Sequence, residues 1–213
     1  LLTTNNELLY SLRSKGNRLF DPYNSTIFPK LINHKWALKS KENHKISFNA
    51  IKKFSDVFQK SWSQDWDEHI SFSDYSLSNG NKKTRNQLLE FRALLIAMGA
   101  EHGLINNNRK FYFDPLTESF LPIYYDGDSK INENYILDKN KIQEIEKSLK
   151  FALNELNEYN IKSLIKKIKK LDIDLVRNEL SKLNLKIDKS NITNIKINLL
   201  QNLEFLAKNL KER

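Results

Sequence analysis

The residues best suited to chemistry in this 213-residue sequence are concentrated between positions 101 and 129, EHGLINNNRKFYFDPLTESFLPIYYDGDS. Carboxylate and amide oxygens are good Mg²⁺ ligands, and phosphoryl transfer from ATP uses an Asn and an Asp from separate loops to hold that metal. This stretch has an Asn-containing loop before a strand-rich segment and an Asp after it. The order of residue types is therefore compatible with a metal and phosphate site.

A helix and a β-hairpin must position these residues. Thr84, followed by Gln87, matches a capping box, and we predict a helix nearly surrounded by protein from the apolar residues Leu88, Leu89, Phe91, Leu94, Leu95, Ile96 and Met98. The segments RKFYFDP and SFLPIYYD have the composition of strands, and DPLTES between them is typical of a turn. We predict a two-stranded hairpin that ends at Asp126, with Pro122 marking an edge strand or a bulge.

The stretch HGLINNNRKFYFDPLTESFLPIYYDGD resembles the core of the CotH-like kinases, the spore-coat-kinase family of the atypical protein-kinase-like superfamily. In that family, Asn-containing loop residues precede an aromatic strand, a D-P-x-T turn, a second strand that reaches a Pro, and an Asp that ligates metal. Asn107 or Asn108, the segment FYFDPLT, Pro122 and Asp126 stand in the corresponding places. The resemblance covers residues 84–130.

This resemblance implies Mg²⁺- or Mn²⁺-dependent ATP binding and phosphoryl transfer to a protein or glycan hydroxyl. Asp126 would be the metal-binding aspartate, with Gly127 giving the backbone freedom just after it. Asn108, or its neighbour Asn107, would be the second metal ligand. His102 would occupy the histidine that opens the catalytic loop, and the hairpin would act as scaffold.

The catalytic loop and the amino-terminal lobe depart from the family pattern. Gly103 stands where the family has an aspartate that orients the acceptor hydroxyl, so Glu101 and His102 are the nearest candidates for a base. LRSKGNRLFDP lacks the glycine-rich pattern of a nucleotide-binding lobe. We therefore expect a carboxy-terminal lobe fragment that is inactive alone. The alternative is a catalytically inactive lobe that engages a protein partner through its helical tail.

Structural roles remain open for the same side chains. His102 is equally suited to a helix C-cap or a hydrogen-bonded structural position, and residues 106–108 to a polar loop. Arg109 could clamp a phosphate, although an ion pair with a nearby carboxylate is more usual. Asp128 is a second candidate metal ligand or a helix cap, with the cap slightly favoured. Asp114 is most simply the first residue of a β-turn, where its carboxylate accepts from backbone N–H groups.

The amino-terminal part predicts loops followed by one amphipathic helix. Residues 1–46 favour loops and short extended pieces, and Ser47 is predicted to cap a helix whose core stripe contains Phe48, Ile51, Phe54 and Val57 or Phe58. The following connector has a cluster of acidic residues beside a histidine: Asp65, Asp67, Glu68 and His69. Their spacing matches no metal-ligand pattern, so a solvated, Trp-anchored loop is the better interpretation.

The carboxy-terminal part predicts helices. Helical spacing from residue 139 onward is shown by Ile142, Ile145, Leu149, Leu153 and Leu156. In the segment 161–175, four lysines should be solvated because they lie opposite an apolar face: Lys162, Lys166, Lys169 and Lys170. The sequence as a whole predicts a mainly helical α+β protein, with residues 1–138 as the kinase-like lobe and residues 139–213 as a helical extension.

Composition restricts the remaining function classes. The net charge is +9, but the lysines are scattered and interrupted by acids, a pattern that disfavours nucleic-acid binding. Because the chain has no cysteine, disulfides and thiolate sites are excluded. No segment has the roughly 18 consecutive apolar residues of a membrane span, so we expect a soluble protein, with the cytoplasm favoured, that is a fragment or a processed form.

Overall fold

The structure is a computed structural model that describes residues 2–4, 29–62, 74–104, 109–131, 135–149 and 152–211. The strands are β1 (Leu2–Thr4), β2 (Pro29–Leu31), β3 (Lys110–Asp114) and β4 (Ser119–Ile123). The α-helices are α1 (His34–Ala37), α2 (Lys41–Trp62), α3 (Asp74–Leu77), α4 (Lys82–Ala97), α5 (Lys139–Ser148), α6 (Glu158–Lys169), α7 (Ile173–Lys182) and α8 (Lys189–Lys211). A 3₁₀ helix covers Glu101–Leu104. The predicted class, α+β and mainly helical, is confirmed.

The chain divides into two compact units. The sheet unit comprises Leu1–Leu88 and Gly103–Asp126, and the helical unit comprises Leu89–His102 and Gly127–Arg213. The sequence predicts a single boundary at residue 138, whereas the structure groups residues 89–102 with the carboxy-terminal helices. The reason is that the second half of α4 bonds to carboxy-terminal segments: Asn202 donates to the Ala97 carbonyl, and Arg92 donates to the Asn154 carbonyl.

The sheet is antiparallel, with the strand order β2-β1-β3-β4. The predicted hairpin is confirmed as β3 and β4, in which Phe111 lies opposite Pro122 and Phe113 opposite Phe120. Among the described strands, β4 lies at the edge of the sheet, so Pro122 is in an edge strand, the first of its two predicted positions. The strand ends at Ile123 rather than at Asp126, three residues earlier than predicted.

The core of the sheet unit is aromatic. Phe54 of α2 is fully buried, with its ring centroid 5.4 Å from that of Phe111 and 5.1 Å from that of Phe120. Phe113 and Phe120 also lie in contact, at 5.2 Å between centroids. These tilted and edge-on arrangements are the favoured geometries of aromatic pairs, so the inner face of the hairpin is held against α2 by ring packing.

The predicted start of α2 was wrong. The helix begins at Lys41, and the Ser40 hydroxyl accepts the backbone N–H of Asn43, so Ser40 rather than Ser47 closes the first turn. The predicted stripe was also partly wrong, because Phe48 is 66% exposed. The buried positions of α2 are spaced by three, four and three residues: Ser47, Ala50, Phe54 and Val57. Phe48 follows Ser47 by one residue and therefore lies about 100° around the helix from that buried face.

The predicted start of α4 was displaced by three residues. The helix begins at Lys82, and the Asn81 side chain accepts the N–H of Thr84, so Asn81 takes the capping role that the pattern assigned to Thr84. The Thr84 hydroxyl instead lies 3.2 Å from the buried Ser119 hydroxyl of β4. The expected enclosure of this helix is supported by the residues it buries on more than one side: Leu88, Leu89, Arg92, Ala93, Leu95, Ile96 and Ala97.

The helical unit follows the predicted apolar spacing. The five predicted core positions from 142 to 156 are all buried, although α5 ends at Ser148 and the last two lie in a turn segment. Side chains cap three of its helices: Asp138 on α5, Asn157 on α6 and Asp172 on α7. On α6 the four predicted lysines are exposed, opposite buried Ile161, Leu164, Ile165 and Ile168.

Among the helices in the described part of the chain, none combines the length and the apolar character that crossing a bilayer requires. This agrees with the sequence, in which polar residues interrupt each apolar run.

Candidate functional site

The turn of the hairpin is held by Asp114. Its carboxylate accepts the backbone N–H of Leu116 at 3.0 Å and the hydroxyl of Thr117 at 2.8 Å. These bonds stabilise the ionised form and lower the pKa of Asp114, with the Thr117 hydroxyl contributing most. Thr117 also contacts the Ser119 hydroxyl at 2.6 Å. The predicted turn role of Asp114 is therefore confirmed.

The same turn is tied to α2 through Glu118. Its carboxylate lies 2.7 Å from the Lys53 ammonium and accepts from the Asn49 amide at 3.1 Å. These contacts lower the pKa of Glu118, and the contact with Lys53 has the larger effect. Glu118 has a positive φ of 50°, a conformation that non-glycine residues adopt infrequently. The turn thus has a defined orientation on the sheet unit.

Asp126 follows the edge strand after Tyr124 and Tyr125. It is exposed, and its φ of 48° lies in the left-handed region, where Asp is tolerated better than most residues. Both tyrosines are about half exposed, and the Lys110 ammonium lies over the ring of Tyr125. The hairpin therefore presents a carboxylate in an unusual backbone conformation on the solvated surface of the sheet unit.

Arg109, the candidate cofactor-binding residue, lies at the beginning of β3 and is buried. Its guanidinium lies 3.8 Å from the Asp74 carboxylate, and the two side chains are 8% and 1% exposed. It also lies over the ring of Phe111, 5.0 Å from the centroid. The ion-pair alternative is the one that the structure shows. A phosphate contact by Arg109 would require this buried pair to open, which is costly.

Asp74 is the residue that the sequence pattern missed. It is the first residue of α3, and its importance comes from a partner 35 positions later in the chain. Nothing in the local segment SDYSL distinguishes it from a solvated helix-start aspartate. Only a signal for long-range pairing could have identified it.

Several predicted candidates lie outside the described residues. These are the two amide ligand candidates Asn107 and Asn108, and the acidic cluster Asp65, Asp67, Glu68 and His69. Their roles therefore stay predictions.

The other candidates belong to the helical unit. His102 is exposed, and Glu101 is half buried, in the 3₁₀ helix that ends at Leu104. Burial, with a smaller contribution from the Glu101 charge, raises the pKa of Tyr135 well above its usual range. Asp128 is exposed and has a φ of 49°. The two candidate bases thus differ, since His102 is accessible to solvent and Glu101 is partly enclosed.

A ready-made metal centre is not seen in the part of the chain that the structure describes. There, no three His, Asp or Glu side chains come together as a ligand set.

Comparison with known proteins yields no match. No family model matches the sequence, and neither a curated protein nor a solved structure matches it.

Proposed function

We propose that this chain is a CotH-like, kinase-related lobe that binds Mg²⁺ or Mn²⁺ with ATP and takes part in phosphoryl transfer to a protein or glycan hydroxyl. The observation that supports it best is the end of the hairpin. An edge strand leads to an exposed aspartate with a left-handed backbone, Asp126. Residues in such sparsely populated conformations cluster at ligand and active sites.

The donor chemistry fits a hard divalent cation. Asp126 would hold the metal with its carboxylate, and the amide of Asn108 or Asn107 would supply a second oxygen. When bound, the metal would supply positive charge that neutralises the phosphate groups of the nucleotide. The hairpin contributes rigidity, because its turn is secured at Asp114 and Glu118 and its inner face packs on Phe54.

Phosphoryl transfer also needs a base that accepts the proton of the acceptor hydroxyl. Gly103 is buried and supplies no carboxylate, so the base would be His102 or Glu101. His102 has the more accessible side chain of the two. Arg109 is not assigned to the phosphates, because its guanidinium already pairs with Asp74.

The second candidate is a non-catalytic protein-interaction module. It is favoured by α7, which buries none of its ten residues, and by apolar side chains left exposed around that helix: Leu171, Leu175, Leu183 and Leu185. Where exposed apolar side chains form one contiguous patch, they mark an interaction surface. Gly103 is compatible with this candidate, whereas Asp126 supports the first.

The test is metal and nucleotide binding by the isolated chain. With Mg²⁺ and ATP near a hundred times the dissociation constant, the wild type should gain about 2.7 kcal/mol of stability, or about 5–10 °C in melting temperature. Asp126→Asn should lose most of that gain while tolerating the left-handed backbone. The control is Asp56→Asn, an exposed aspartate of α2. Absence of stabilisation in the wild type, or equal stabilisation in Asp126→Asn, would contradict the proposal.

A further inference from the structure

An open cavity of about 390 Å³ lies in the helical unit, against the first three turns of α8 and the connector that precedes it. Its volume falls within the range of about 300–1,000 Å³ typical of small-ligand sites. The lining residues are Ile131, Lys186, Ile187, Asp188, Asn191, Asn194, Ile195 and Asn198. None of them belongs to the proposed metal site.

Two opposite charges line this cavity without pairing. Lys186 and Asp188 are exposed and form no ion pair with each other or with another described residue. Charged neighbours on both sides do pair: Lys182 with Glu179, and Lys189 with Asp174. A cation and an anion that share one cavity are complementary to a ligand that carries both charges, whereas a simple anion would be repelled by Asp188.

The rest of the lining combines apolar and amide groups. Ile131, Ile187 and Ile195 provide three aliphatic side chains. On α8, Asn191 and Asn194 are exposed, and their side-chain amides form no hydrogen bond with a described residue. A carboxamide both donates and accepts, as a peptide bond does, so these two side chains match the polar groups of a peptide backbone.

We propose that this cavity binds a short zwitterionic peptide with aliphatic side chains, of about dipeptide size. Lys186 receives the terminal carboxylate and Asp188 the terminal ammonium. Asn191 and Asn194 bond to the backbone, and the three isoleucines contact the side chains. The proposal is independent of the kinase-like function, because it uses none of the residues assigned to metal binding or proton transfer there.

The first experiment titrates the ¹⁵N-labelled chain with the dipeptide Leu-Leu, without metal or ATP, and follows backbone amide shifts by NMR. Saturable shifts at the start of α8 and in the 185–188 connector are expected. N-acetyl-Leu-Leu, which lacks the ammonium, and Leu-Leu-amide, which lacks the carboxylate, should each bind at least about tenfold more weakly, since each loses a charge-assisted contact. Equal binding of the three peptides would overturn the proposal, as would absence of saturable shifts.

Substitutions then connect the binding to these residues. Lys186→Met should weaken binding of Leu-Leu at least about tenfold while leaving Leu-Leu-amide unaffected, because only the former has the carboxylate. Asp188→Asn should show the converse, with N-acetyl-Leu-Leu unaffected. The control Lys208→Met removes an exposed lysine of α8 that does not line the cavity. Unchanged affinity in both cavity variants, with native helical content, would refute the assignment.

Discussion

Asn202 of α8 connects three segments of the helical unit, and replacing it should strongly destabilise that unit. The side chain is 3% exposed. Its amide nitrogen donates to the carbonyls of Ala97 and Tyr135, and its oxygen accepts the N–H of Leu137, all at 2.9 Å. In Asn202→Leu, one buried N–H and two buried carbonyls would lose their partner.

The expected cost follows from these three groups. An orphaned buried polar group costs about 1–3 kcal/mol, and the new leucine regains about 1–2 kcal/mol by burial. With about 2 kcal/mol for each orphaned group and about 2 kcal/mol regained by the leucine, we expect a net loss of about 4 kcal/mol, equivalent to about 8–16 °C in melting temperature for a chain of this length.

The assay is urea unfolding followed by far-ultraviolet circular dichroism, with Asn209→Leu as the matched control. Asn209 lies on the same helix, is partly buried and donates one bond to the Phe205 carbonyl of its own helix. Its replacement should cost less than about 1 kcal/mol, because only a local bond is lost. If Asn202→Leu cost no more than Asn209→Leu, the three-way connection would not contribute to stability and the reasoning would be refuted.

Three further predictions concern packing and pH. Gly99→Ala should destabilise the chain by about 1–3 kcal/mol more than Gly80→Ala in urea unfolding. Both glycines have positive φ, but a methyl group at Gly99 would lie 2.9 Å from the Tyr135 ring, whereas a methyl group at Gly80 would meet no atom within 4 Å. Equal losses of stability in the two variants would contradict this prediction. Phe54→Ala should cost about 3–5 kcal/mol by the same measurement, and Phe48→Ala less than about 0.5 kcal/mol, since only Phe54 is in the core; the reverse order would contradict the structure. The lowered pKa of Asp114 means that its ionised form stabilises the fold above its unfolded pKa of about 3.9, and that this stabilisation is lost as pH falls through the folded pKa. The stability difference between wild type and Asp114→Asn should therefore shrink as pH falls below about 4, and a pH-independent difference would count against the turn bonds.

Much of the fold could be predicted because its signals are local. The hairpin was recognised from the alternation around Tyr112, which the structure leaves exposed between two buried phenylalanines, and from the turn residues at Asp114. The carboxy-terminal helices were recognised from apolar spacing, and positions such as Ile145 and Leu153 are buried. Such periodicity arises from the geometry of a single helix or strand, so the sequence of that element is enough to predict it.

The candidate site was less predictable. The resemblance predicts a metal-binding role for Asp126 from its place after the hairpin, and this role stays a prediction. The structure shows that Asp126 is exposed and has a left-handed backbone. Arg109 had two interpretations, and local sequence did not decide between them, since the deciding partner is Asp74. No sequence motif predicts the cavity beside α8, because two of its lining residues, Ile131 and Ile195, are 64 positions apart.

The amino-acid sequence by itself determined the types of the main elements, the turn chemistry of the hairpin and the solvated lysine face of α6. Tertiary structure alone decided which face of α2 is buried, so that Phe54 lies in the core and Phe48 is exposed. Tertiary structure alone also assigned the second half of α4 to the helical unit. It also decided the partners of Arg109 and Asn202. The physical reason is that these outcomes depend on contacts between residues as far as 105 positions apart, whose energies no local periodicity encodes.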